Sequence, residues 1–295
     1  MPDLIRHPEG LEKTGFLLSP EWHFIMKTIA YGQTLIKKVR SQRDMKPSLL
    51  TLRIKRFHKE RVPPQWLETF QVEIRKGMNL LEALFRIQDE QDGTLSFRYS
   101  CRGAVCGSCA MRVNGKDVLA CRTHVEDLLN EPTLVEPLPP FPVIRDLIVD
   151  LSTFFDHYRE IEPYLQGKPI SSQEEYRMEE EKRKEIDLYV NCILCGICFG
   201  TCPAFEKDRE FLGPAILAKA FRFLADPRDI RNEKILEAVN SQQGVWGCKT
   251  VFNCVKVCPK QVPPTHGIVK MRGKILRYRL GSIISRLLSR LQPND

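Results

Sequence analysis

The segment Cys101–Cys121, CRGAVCGSCAMRVNGKDVLAC, carries four cysteines separated by four, two and eleven residues. Seven more follow, Cys192, Cys195, Cys198 and Cys202 as one group and Cys248, Cys254 and Cys258 as another. Eleven thiols in 295 residues need a use, and the redox compartment decides which. The amino terminus, MPDLIRHPEGLEK, is interrupted by Asp3, Glu9 and Glu12 and has no apolar core, so we expect no secretory signal and a reducing compartment. Disulfides are rare there, and an odd count would leave one thiol over. Metal ligation is the better expectation.

Composition bounds the rest. With 42% apolar and 28% charged residues the chain reads as globular, and its length suits two domains with separate cores. No run approaches the roughly 20 apolar residues of a membrane span. A net charge of +8 is not by itself a sign of nucleic acid, and no nucleic-acid partner is expected. There is no Gly-rich dinucleotide fingerprint, and the six histidines are scattered without a ligand pair at helical spacing.

The first cysteine group has the plant-type ferredoxin spacing, which ligates a [2Fe-2S] cluster. Gly103 and Gly107 lie between its thiols and allow a tight loop whose N–H groups turn toward sulfur. On either side, LLTLRIKRF and FQVEIRKG read as strands, NLLEALFRIQDEQ as a helix starting near Asn79, and AMRVNGKDVLAC as a hairpin turning on Asn114-Gly115. These elements fit a small β-grasp domain. Zinc would favour paired C-x2-C knuckles, and only Cys106 and Cys109 make one.

CILCGICFGTCP is the bacterial C-x2-C-x2-C-x3-C-P run, whose fourth thiol serves a second cluster. CKTVFNCVKVCP supplies the partner run with Val251 in place of one cysteine. Cys192, Cys195, Cys198 and Cys258 then make a four-thiol [4Fe-4S] site. Cys202, Cys248 and Cys254 make a three-thiol site suited to [3Fe-4S]. An open iron for substrate chemistry, as in hydratases, is the alternative at Val251, although nothing nearby resembles a substrate pocket.

The stretches SCRGAVCGSCAMRVNGK, LVEPLPPFPVIRDLIVDLSTFF, CILCGICFGTCP, NSQQGVWGC and CVKVCPK, in this order, resemble the iron-sulfur subunit of succinate dehydrogenase and quinol:fumarate reductase. The resemblance covers roughly residues 48 to 280. It implies an α+β protein: an N-terminal β-grasp plant-type [2Fe-2S] ferredoxin domain over 48–142, then a C-terminal α-helical bacterial-type ferredoxin domain over 143–280. It also implies two partners, a flavoprotein with FAD that interconverts succinate and fumarate, and an integral membrane anchor with a quinone site. Electrons would pass from flavin through [2Fe-2S], [4Fe-4S] and [3Fe-4S] to quinone, with the loop at Arg102, Gly103 and Ala104 facing the flavoprotein. The same module serving a soluble or thiol-linked fumarate reductase is a second reading, and a basic zinc-bound nucleic-acid or scaffold protein a third.

Many relatives carry a tryptophan five residues after the counterpart of Cys202 and a histidine after that of Cys248; here those positions are Lys207 and Lys249. The resemblance therefore points to a menaquinone-type site or an anchor passing electrons through haem. Arg272, with Lys270 beside it, falls where the family places a cation near the quinone.

The remaining segments concern attachment. EPTLVEPLPPFPV has five prolines in thirteen residues, which predicts an irregular, extended linker, with a helix starting near Val143. EEYRMEEEKRKEID predicts a solvated helix with i,i+4 ion pairs. Ser19 and Pro20 would open a helix over the N-terminal extension 1–47, with Trp22, Ile25, Ile29, Ile36 and Val39 on one face. A basic amphipathic tail over 281–295 continues the stripe Leu276, Leu280, Ile283, Leu287, Leu291, flanked by Arg279, Arg286 and Arg290. The expected location is peripheral, on the cytoplasmic face of a prokaryotic inner membrane; the early acidic residues fit a mitochondrial presequence poorly.

Overall fold

The computed structural model describes residues 49–129, 132–169, 171 and 174–291, with side chains as far as Gly281. The helix expected over 1–47 and the side chains of the stripe beyond Gly281 lie outside the described residues.

β1 (Leu49–Phe57) alternates, sending Leu50, Leu52 and Ile54 into the core. It pairs antiparallel along its whole length with β2 (Gln65–Glu73). That strand begins five residues before the apolar stretch at Phe70 because β1 supplies a pairing partner for Gln65–Thr69 as well. α1 (Leu80–Glu90) opens with a capping box: Asn79 accepts from the Glu82 N–H, and the Glu82 carboxylate accepts from the Asn79 N–H. The helix then buries Leu80, Leu81, Ala83, Leu84 and Ile87 on one face.

β3 (Ala110–Val113) and β4 (Lys116–Leu119) form the hairpin expected at Asn114-Gly115, both residues taking positive φ (47° and 76°) as a type I′ turn requires. β5 (Thr133–Glu136) runs parallel to β1 and antiparallel to β3, completing a sheet of order β2-β1-β5-β3-β4. This corrects the irregular linker expected over the proline-rich segment. Thr133–Glu136 lie between Pro132 and Pro137, keep their N–H groups, and occupy the centre of the sheet.

The helix expected near Val143 is also corrected. β6 (Val143–Arg145) and β7 (Ile148–Val149) form a short hairpin there, and α2 (Ser152–Glu160) begins seven residues after the last residue of β6. The cause is Asp146. Its buried carboxylate accepts from Arg56 Nε at 3.0 Å, the Phe57 N–H at 3.1 Å and the Ser96 N–H at 2.9 Å. Those bonds tie residues 143–149 to β1, the strand of the first domain, although the expected boundary put them in the second.

The helical part contains α3 (Glu180–Val190), α4 (Ile197–Gly200), α5 (Pro203–Lys207), α6 (Pro214–Leu224), α7 (Asn232–Val239), α8 (Asn253–Lys256) and α9 (Pro264–Leu291). α3 has the expected pairs, Arg183 with Asp187 and Lys184 with Glu180, but begins six residues later than the charged stretch at Glu174. α6 is buried nearly all round and forms the centre of this part. α9 runs unbroken through Gly273 and Gly281, across the boundary expected at 280/281. Among the described residues no helix is long and apolar enough to cross a membrane.

An aromatic cluster joins the two parts. Phe199 stacks on Phe141 at 5.9 Å and meets Phe154 and Phe205 edge-on at 4.9 and 4.7 Å. Phe199 sits between Cys198 and Cys202 in sequence, so packing the interface also fixes the cysteine helix α4. Beside it, Arg112 pairs with the buried Asp117 at 2.7 Å and donates to the Gly200 carbonyl at 3.3 Å, fastening the β3–β4 hairpin to α4.

Candidate metal centres

In the first centre the hairpin does the work of sequence distance. Ala110 pairs with Leu119, so the strands bring Cys121 back beside Cys109 across eleven intervening residues. The Cys101–Cys109 loop supplies the other thiols, and its N–H groups point at sulfur. Val105 and Cys106 donate to Cys101 Sγ at 3.2 Å, Gly103 donates at 3.4 Å, and the Cys101 N–H donates to Cys106 Sγ at 3.4 Å. The left-handed residues that turn these groups inward are Arg102, Ala104 and Gly107, with φ of 55°, 56° and 75°. Gly103 is not among them; its amide donates to Cys101 Sγ while its neighbours take the positive φ.

Burial and hydrogen bonds pull these thiols apart in acidity. At Cys106 burial pushes upward, but hydrogen bonds from Ser108 and Cys101 outweigh it and bring the thiol down to about 6. At Cys109 burial dominates and pushes the thiol up to about 12. The loop is also exposed: Cys101, Arg102, Gly103 and Val105 face solvent, with the Arg102 guanidinium over the Phe85 and Tyr99 rings at 4.7 and 5.6 Å.

The second and third centres are cavities. One is lined by Cys192, Cys195, Cys198 and Cys258. Another is lined by Cys202, Cys248 and Cys254, with Val251 among its walls. Among the described residues no three His, Cys, Asp or Glu side chains converge as a single metal ion requires, and the cysteines line open space instead.

Two observations test whether clusters fit. Burial raises the Cys192, Cys198, Cys202 and Cys254 thiols and carries Cys195 to about 12, so thiolates here need a cationic partner, which iron supplies. In the three-thiol cavity the buried Thr201 Oγ1 has no hydrogen-bond partner among the described residues. An inorganic sulfide would give it an acceptor. The residues fit the groups.

Left-handed residues recur beside these cysteines as in the first loop: Leu194, Gly196, Thr250, Phe252 and Gln261. Thr250 and Val262 donate N–H groups to Cys248 Sγ at 3.4 Å and Cys258 Sγ at 3.3 Å. Sequence reasoning missed these positions because nothing in a leucine, threonine, phenylalanine or glutamine announces positive φ.

The four cations expected near a quinone are distributed unevenly. Lys249 lines the three-thiol cavity, and Lys207 is exposed at the end of α5, which begins directly after Cys202. Arg272 reaches the same loop from α9. It donates to the Val245 carbonyl through Nε (2.8 Å) and Nη2 (2.6 Å), to the Cys248 carbonyl at 2.6 Å and to Thr250 Oγ1 at 3.3 Å. Lys270 is not with them; it pairs with Glu185 of α3 at 3.1 Å and lies over the Phe221 ring.

A β-grasp domain with a plant-type cysteine loop, joined to a helical domain holding two cysteine-lined cavities, defines a two-domain iron-sulfur electron-transfer protein. Residues 51–156 match the family model described as a 2Fe-2S iron-sulfur cluster binding domain, and residues 189–262 that of a 4Fe-4S dicluster domain. Over 215 residues, 72% of this chain and 70% of the relative, the sequence is 38% identical to succinate dehydrogenase (ubiquinone) iron-sulfur subunit 3, mitochondrial, of Arabidopsis thaliana. A chain of the Mycobacterium smegmatis Sdh1 complex in the apo form superposes with a TM-score of 0.71 at 26% identity, covering 80% of this chain and 98% of that one. The chain belongs to the family of succinate dehydrogenase iron-sulfur subunits and is an electron-transfer subunit of an oxidoreductase complex. That membership removes the zinc-bound nucleic-acid alternative.

Proposed function

We propose that this subunit carries electrons singly between a FAD-containing flavoprotein that interconverts succinate and fumarate and a quinone held at an integral membrane anchor. Cys101, Cys106, Cys109 and Cys121 hold [2Fe-2S]; Cys192, Cys195, Cys198 and Cys258 hold [4Fe-4S]; Cys202, Cys248 and Cys254 hold [3Fe-4S]. When bound, these clusters supply reversible one-electron chemistry. The chain fixes their separation, keeps water away from the inner sulfurs and directs N–H groups at the thiolates.

One observation carries this reading: the eleven cysteines divide into a loop closed by Cys121 after the hairpin and two cavities, with four, four and three thiols, and Val251 at the wall of the last. The exposed loop at Arg102 and Val105 is the flavoprotein end. Exposed Val251 and Phe252 beside the three-thiol cavity mark the quinone end, where Lys249 and Lys207 are the cations at hand and Arg272 holds the loop. Lysines at these two positions favour a menaquinone-type site or a haem-bearing anchor, and a peripheral location on the cytoplasmic face of a prokaryotic inner membrane. We place the domains at 48–142 and 143–280, with the hairpin Val143–Val149 packing back on the first.

Electron paramagnetic resonance of the anaerobically purified complex tests the ligand sets. The oxidised protein should show the near-isotropic signal of a three-iron centre, and Val251→Cys should diminish it in favour of a cube. A native protein with two cubes and no such signal would overturn the assignment.

A further inference from the structure

Thr265 is the second residue of α9, which two consecutive prolines, Pro263 and Pro264, start in a fixed direction. Its side chain is 1% exposed, and its Oγ1 lies 3.1 Å from Cys254 Sγ on α8. As a free thiol, Cys254 can donate or accept in this contact. As a metal ligand it is a thiolate without a proton, and then only the hydroxyl can donate. A hydrogen bond to a charged sulfur, away from water, is stronger than a neutral one and strengthens as charge on that sulfur grows.

We propose that Thr265 is a positioning residue that raises the reduction potential of the three-thiol centre by donating its hydroxyl proton to the Cys254 thiolate. The inference rests on the proposed ligand set. The step it tunes is a one-electron reduction in which no bond within the chain is made or broken. The electron arrives from the four-thiol centre and leaves to the quinone. Reduction puts more charge on the sulfur ligands, so a fixed donor favours the reduced state. The energetic place of this centre, last before the quinone, makes such a bias useful: it draws electrons to the membrane end of the chain.

A satisfied core hydroxyl with no redox role would leave the same geometry, and the experiment separates the two. In the intact complex, Thr265→Val keeps the shape and removes the hydroxyl, while Thr265→Ser keeps the hydroxyl. Redox titration followed by electron paramagnetic resonance should show the three-iron centre about tenfold harder to reduce in the valine variant, a fall of about 59 mV for a one-electron couple. The serine variant should stay close to the native value, and the other two centres should not move. A valine variant with native potential, or a serine variant that falls equally, overturns the proposal.

Should the valine variant fail to assemble the centre, the native protein decides. Hyperfine spectroscopy in D2O against H2O must show a hydroxyl-type exchangeable proton coupled to the oxidised centre and retained in Thr265→Ser, and its absence overturns the proposal. If the native protein lacks the three-iron signal altogether, the ligand set has failed rather than the role of Thr265.

Discussion

The guanidinium of Arg272 spends four hydrogen bonds on the Cys248 loop, three of them to the carbonyls of Val245 and Cys248. Its position therefore explains a cation near the three-thiol centre without assigning it to quinone: it gathers carbonyls that the left-handed turn at Thr250 leaves unpaired by regular structure. Arg272→Ala would strand those acceptors, each at about 1–3 kcal/mol where water cannot reach them. We expect partial loss of the three-iron signal on mild oxidation, with [2Fe-2S] content unchanged. Native cluster content with impaired quinone reduction alone would instead make the arginine a direct quinone ligand. Arg272→Lys should rescue little, because an ammonium cannot reproduce the planar fork that spans two carbonyls.

Among the elements, β1 ends on a buried cation, and that cation organises what surrounds it. Arg56 donates to Asp146 of the β6–β7 turn, to Glu68 of β2 and to Asp92 after α1. Thr94 and Arg56 hold the Asp92 carboxyl down, from 3.8 to about 2, against the opposing effect of burial. A carboxyl depressed in the folded state stabilises it above its unfolded pKa and loses that contribution as pH falls toward the folded value. Acid unfolding should therefore steepen between pH of about 4 and about 2, and Asp92→Asn should flatten that limb; an identical profile would remove Asp92 from the account. β1 itself was legible, because apolar residues alternate at Leu50, Leu52 and Ile54 along it. β5 and the β6–β7 hairpin were not: four residues between prolines show no periodicity, and their strand state comes from partners far along the chain. The cysteine spacings are a property of sequence, whereas Thr265, eleven residues beyond Cys254, meets it only through the folding of α9. α9 carries a further expectation. Leu276 and Leu280 are one turn apart on it and are 49% and 59% exposed, beside exposed Arg277 and Lys274. If this face meets the membrane partner, replacing both leucines by glutamate should release the subunit from its anchor at high salt with all three clusters intact, and undiminished attachment would sink the idea.

At the scale of the whole molecule, the close approach of the Cys101–Cys109 loop to Cys195 depends on a missing side chain. Gly107 of the Cys101–Cys109 loop rests against Cys195 so closely that a Cβ there would lie 2.7 Å from Cys195 Cβ and 2.8 Å from its Cα. No ordinary contact is that short, and neither atom is the end of a flexible chain, so any side chain must push one loop off the other. Glycine also meets the local φ of 75° at no steric cost. The same economy recurs at Gly200, whose Cβ would collide with the Asp117 carboxylate that pairs with Arg112. The domain interface is thus a close fit of cluster loops, with Phe141, Phe154, Phe199 and Phe205 packed behind it. Gly107→Ala should cost about 1–3 kcal/mol through overpacking, added to the strain of an L-residue at positive φ. More tellingly, it should widen the gap that electrons cross. The expected outcome is a [2Fe-2S] centre that still reduces from the flavoprotein side but passes its electron to the four-thiol centre more slowly, with weaker magnetic coupling between the two when both are reduced. Gly77→Ala is the control for backbone strain: it shares positive φ, at 77°, and has nothing within 4 Å of its Cβ. If both variants slow transfer equally, the close approach at Gly107 is not what sets the rate.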